Sequence, residues 1–207
     1  DDYIVHAKRQ SVQFPTNTRV LVNRNSASAS EMTAAALLDQ KVAILYGEKT
    51  YGKGTMQSFY QLSDGSYLKL TMAKFAGPTS TAINEVGVKP HIETNGNALY
   101  KAHYDTIAEQ YLHYKELPTL SNVPTTKTFT VNFNSTVGLV PNGAIELVQL
   151  GKNRVDISIE KQGTKLIVSP THPLVSGEQY MLIIHSSIKG SINETMKMGS
   201  YLFISVK

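Results

Sequence analysis

The chain holds 207 residues, 41% hydrophobic and 17% charged, a balance that favours folding over wholesale disorder and a length that accommodates two small domains. Formal net charge is +4, but the lysines and arginines are scattered with no run of five basic residues, so no nucleic-acid partner is expected. The lack of cysteine excludes disulfides and cysteine-ligated metal, the six histidines show no metal spacing, no cofactor motif is seen, and no apolar run reaches the ~18 residues of a membrane span.

Residues 3–8 and 18–23 have strand character, the second run ending in an Asn23-Arg24-Asn25 turn. A helix is predicted from Ala29 to Asp39, where Met32, Ala35, Ala36 and Leu38 supply small and apolar groups. Val42 to Gly47 is a short apolar run of the buried-strand type, so strand, helix and strand form a βαβ unit. Glycines at 47, 52 and 54 punctuate a loop. Residues 58–62 and 67–73 then flank Ser63-Asp64-Gly65-Ser66 as a hairpin. Gly87 to Ile92 contains Pro90 and reads as an edge or loop segment. In residues 98–115, Tyr100, Tyr104, Ile107, Tyr111 and Tyr114 recur on one helical face, expected to pack with its hydroxyls at the rim.

After the proline-bearing stretch 117–124 the pattern turns all-β. Phe129, Val131 and Phe133 alternate with polar residues. So do Val155, Ile157 and Ile159; Leu166 and Val168; Tyr180, Leu182 and Ile184; and Leu202, Ile204 and Val206. Turns fall at Pro141-Asn142-Gly143, Gln162-Gly163 and Ser176-Gly177, the spacing of an immunoglobulin-like sandwich.

Two motifs carry chemistry. Ser28 opens the predicted helix within Asn25-Ser26-Ala27-Ser28-Ala29-Ser30-Glu31, and Lys53 lies 25 positions downstream between Gly52 and Gly54. Ser28 with Glu31 is also an ordinary capping box, and a lysine between glycines is commonly an exposed loop residue. A phosphate loop is excluded, because Gly54 follows Lys53 where a Walker motif needs Ser or Thr. Taken together and in order, the motifs suit a serine nucleophile with a lysine base, a known variant of the serine-hydrolase constellation. The helix start adds free N–H groups and a positive dipole end for an oxyanion.

The stretch from Val20 to Ile92 resembles the C-terminal processing, or tail-specific, peptidases. The resemblance rests on Ser26-Ala27-Ser28-Ala29-Ser30-Glu31, Tyr46 to Gln57, Leu62 to Thr71, and Gly87-Val88-Lys89-Pro90-His91-Ile92. It implies an α/β core of the crotonase or Clp-protease type, Ser28 as nucleophile, Lys53 as general base, Gln57 as the group orienting the lysine, and the Ala29 backbone N–H as an oxyanion donor. It further implies a protein or peptide substrate and an extracytoplasmic location. Such peptidases carry a PDZ domain and a Gly-Gly turn upstream. A chain opening on Asp1-Asp2-Tyr3 is therefore expected to be the C-terminal part of a larger peptidase. One departure is Gly77-Pro78-Thr79-Ser80, where the family has Pro-x-Gly.

The second part resembles bacterial immunoglobulin-like domains of surface-layer and cell-wall proteins, through Lys127 to Asn134 and Pro173 to Tyr180. The expected organisation is a peptidase segment over 1–120 and a β-sandwich over 121–207. A cell-wall or protein partner is expected for the sandwich, and homo-oligomerisation is left open. The rival expectation is an inactive module that binds through the sandwich. A hydrogen bond between Ser28 and Lys53 would favour the first, and a lysine pointing into solvent the second.

Overall fold

The computed structural model describes His6, Lys8, Ser11 and residues 14–207; the predicted strand at 3–8 lies, apart from His6 and Lys8, outside the described residues. The described chain is mostly β-sheet with few helices. It divides into two compact units between Ala98 and Leu99. Residues 99–120, expected with the peptidase segment, therefore fold with the second unit.

In the first unit, β1 (Arg19–Val22) runs parallel to β2 (Ile44–Gly47), with α1 (Ala29–Asp39) as the crossover between them. The predicted βαβ unit is thus present. Ala34, Ala35 and Leu37 of α1 are buried with Val22, Ala43, Leu45, Ile83 and Val88. Alanine at the contact lets the helix approach the sheet closely. Met32, on the same helix, is exposed. β3 (Thr55–Gln61) and β4 (Tyr67–Lys74) form the predicted hairpin. β5 (Ile92–Glu93) is only a two-residue strand, joined parallel to β2 after Pro90.

In the second unit, α2 (Ala98–Ala108) continues into a 3-10 turn at Glu109–Tyr111, so the predicted helix ends early. The chain is then drawn into β6 (Lys115–Glu116) and β7 (Leu120–Val123), both parallel to the last strand. Next come β8 (Phe129–Asn132), β9 (Ile145–Gln149), β10 (Arg154–Val155), β11 (Ile157–Gln162), β12 (Lys165–Pro170), β13 (Gln179–Ile184) and β14 (Ser200–Val206). One sheet has the order β10-β9-β13-β14-β6 with β7 also on β14, and a second has the order β11-β12-β8. Every residue of the five alternating runs predicted from sequence lies in, or packs against, one core.

β13 is apolar from Tyr180 to Ile184 because both its faces are covered. Tyr180, Leu182 and Ile184 enter that core, whereas Met181 and Ile183 meet Ile107 and the tyrosines of α2 and the turn after it. The tyrosine hydroxyls reach polar partners as expected: Tyr100 donates to Glu178 at 2.5 Å and Tyr104 to Glu116 at 2.6 Å. His103, on the same helix, accepts the Gly151 N–H on Nδ1 at 2.8 Å, which fixes the neutral Nε2–H tautomer.

Burial pushes the His103 pKa below its ordinary value of 6.5. The unfolded chain then binds the proton more readily, so this contribution to stability is complete above pH 6.5 and is lost as pH falls through the folded value. Thermal unfolding followed from about pH 7 to about pH 5 should show wild type losing more stability than His103→Gln, whose amide oxygen can still accept from Gly151. Equal slopes for the two proteins would refute the assignment.

Candidate active site

Ser28 sits at the N-cap of α1 with φ 57° and ψ −113°. A positive φ is uncommon for a residue with a Cβ and costs on the order of 1–3 kcal/mol. Strained serines at a strand-to-helix turn also occur in nucleophile elbows, and here Ser28 and Glu31 form a capping box at the helix start. Within the first turn of α1 the N–H groups of Ser30, Glu31 and Met32 bond to Ala27 and Ser28 carbonyls. Among the described residues, the Ala29 N–H has no hydrogen-bond partner.

The element that fixes the site is Glu31, which is fully buried. Its Oε1 accepts from Thr50 Oγ1 at 2.5 Å and from the Gly52 N–H at 2.6 Å. Its Oε2 accepts the Lys53 N–H at 2.8 Å and the Ser28 N–H at 2.9 Å. One carboxylate oxygen therefore holds the backbone of both Ser28 and Lys53. Burial raises the Glu31 pKa, but the hydrogen bonds from Thr50, Gly52, Ser28 and Lys53 outweigh it and leave the group below its ordinary range. The capping-box reading anticipates only the bond to Ser28; Thr50 and the loop amides are further functional groups that sequence reasoning missed.

The loop bearing Lys53 is braced on several sides. Thr50 N–H bonds to Val88 O at 3.1 Å, Tyr51 N–H to Ser26 O at 3.0 Å, and Glu85 N–H to Gly52 O at 2.8 Å. Thr50 Oγ1 also accepts the Val88 N–H at 2.7 Å. Both glycines of the motif are required by this packing. Gly52 has φ 96°, and a Cβ on Gly54 would lie 2.4 Å from Asn84 N. At the far end of α1, Asp39 accepts from Thr79 N–H at 2.9 Å and Thr81 Oγ1 at 2.6 Å. The departure at Gly77-Pro78-Thr79-Ser80 is thus tied to the helix that begins at Ser28.

Residues 2–94 match peptidase family S41. The same segment resembles C-terminal processing peptidases. It is similar to carboxyl-terminal-processing peptidase 2, chloroplastic, of Arabidopsis thaliana (56% identity over 71 residues, 34% of this chain and 14% of the relative). The chloroplastic C-terminal processing peptidase of Tetradesmus obliquus is 42% identical over 96 residues, 46% of this chain and 21% of that protein. A probable CtpA-like serine protease of Staphylococcus aureus is 32% identical over 146 residues, 70% of this chain and 24% of that protein. Among solved structures, the photosystem II D1 C-terminal processing protease shares 46% identity over 37% of this chain and 20% of its own, with a TM-score of 0.34. The chain thus spans only 14–24% of the length of these curated relatives.

The side chains of the predicted pair are not joined. Lys53 is exposed, and among the described residues no hydrogen bond links its Nζ to Ser28 Oγ. Gln57 donates to Thr55 Oγ1 at 2.7 Å and makes no bond to Lys53. The backbone frame brings Ser28, Ala29 and Lys53 together, while the contact between nucleophile and base is open.

Proposed function

We propose that this chain is part of a serine endopeptidase that processes protein C-termini through a Ser28–Lys53 dyad. The observation that carries the reading is the strained Ser28 backbone, anchored with Lys53 on a single Glu31 oxygen. Ser28 Oγ attacks the scissile carbonyl, and the free amine of Lys53 takes its proton. The Ala29 N–H receives the oxyanion, and Lys53 returns the proton to the leaving amine as the acyl-enzyme forms. Water then hydrolyses the ester. A lysine acts as a base only where an apolar cover disfavours its charged form. In this reading the substrate and the remaining peptidase segments supply that cover, close the dyad and bring Gln57 to the lysine. The substrate is a protein or peptide, the core is of the crotonase or Clp-protease type, and the location is extracytoplasmic.

The exposed Lys53 and the open dyad favour a second reading. In it the segment is an inactive scaffold, and the second unit, an immunoglobulin-like sandwich, binds a cell-wall or protein partner. A fluorophosphonate probe separates the two. The full-length protein should take the label on Ser28, located by mass spectrometry of the labelled peptide. No label, or label on another serine only, rejects the peptidase reading.

A further inference from the structure

The backbone around Tyr51 is held at four consecutive amides: Thr50 to Val88, Tyr51 to Ser26, and Gly52 and Lys53 to Glu31. Its side chain has no such support. Tyr51 is 71% exposed, and among the described residues its hydroxyl has no hydrogen-bond partner. An aromatic group is thus presented outward from a rigid mount, two residues before the candidate base and hydrogen-bonded through its backbone to a residue two before the candidate nucleophile. The other elements that carry the site expose apolar groups too: Met32 on α1 and Met56 on β3. A rigid, two-torsion aromatic ring gives large contact area at small entropic cost, the property that makes tyrosine a frequent recognition residue.

We propose that Tyr51 is a specificity-determining residue, its ring forming one wall of the subsite that receives the substrate side chain beside the scissile bond and selecting an apolar residue there. This rests on the serine peptidase reading. Tyr51 itself moves no proton; it contacts substrate and sets which peptides are held.

The test uses the full-length protein, with paired peptides differing only in an apolar or a charged residue beside the cleavage point. Tyr51→Ala should lower kcat/KM for the apolar peptide by roughly tenfold or more, mainly through KM, and flatten the preference between the pair. Tyr51→Phe should preserve both. The rate at which a small fluorophosphonate labels Ser28 should stay within about twofold of wild type in both variants, because that reagent does not fill the subsite. An unchanged preference in Tyr51→Ala overturns the proposal. A labelling rate that falls in step with peptide turnover also overturns it, since Tyr51 would then be supporting the loop. If wild type takes no label at all, the peptidase reading itself fails, an outcome distinct from either of these.

Discussion

In the full-length protein, Ser28→Ala and Lys53→Ala should each lower peptide turnover by about a thousandfold or more, and the double variant should be no worse than the more damaging single one. The reason is that the two side chains act on one proton. Without Oγ there is no nucleophile for the amine to activate, and without the amine the hydroxyl keeps its proton at neutral pH. Whatever turnover remains would come from substrate positioning and the Ala29 N–H, which neither substitution removes. Both changes should be mild for folding, since Ser28 is only half-buried and the Lys53 side chain is exposed. Steady-state kinetics on one peptide substrate, with circular dichroism as the control for folding, checks this. Losses that multiply in the double variant would mean that serine and lysine act independently, which contradicts the dyad. Turnover that survives both single changes would place the chemistry elsewhere.

The parts of this fold that local pattern governs were legible in the sequence. Alternation marked the inward faces of β8, β11, β12, β13 and β14, because a half-buried strand writes its burial directly into its residues. The alanines and flanking turns marked α1 and the strands on either side of it. Packing partners were not legible. The tyrosine face of residues 98–115 announced that it would be buried, but periodicity does not say against what, and the answer is the outer face of the sheet at Met181 and Ile183. The same limit applies at the site. Ser28, Lys53 and the motif glycines were readable as motifs, whereas the positive φ of Ser28 carries no sequence mark, because the residue is neither glycine nor asparagine. Glu31 was hidden for a different reason. Its place in a capping box explains it locally, so nothing in the pattern calls for the loop at Thr50, Gly52 and Lys53 to fold over its carboxylate.

Replacing Glu31 by Ala should cost on the order of 3–5 kcal/mol in the first unit and release the loop that carries Lys53. Four donors converge on a carboxylate with no solvent exposure, and truncation leaves all of them without an acceptor. Glu31→Gln is the sharper probe. The amide keeps the volume but offers one acceptor oxygen, and its NH2 group confronts donors it cannot satisfy. Hydrogen exchange should show the amides of residues 50–54 losing protection in both variants, while β13 in the second unit stays protected. The pH dependence follows from the same bonds. The folded pKa of Glu31 lies below its ordinary value of 4.5, so the unfolded chain protonates first as pH falls. The stabilisation is therefore fully present above pH 4.5 and is lost as pH drops through the folded value. Glu31→Gln, having no charge to lose, should show a shallower decline of stability across that acid window. If the wild-type loop exchanges as fast as that of Glu31→Gln at neutral pH, the carboxylate is not what holds Ser28 and Lys53 together. The site would then depend on contacts from beyond these residues.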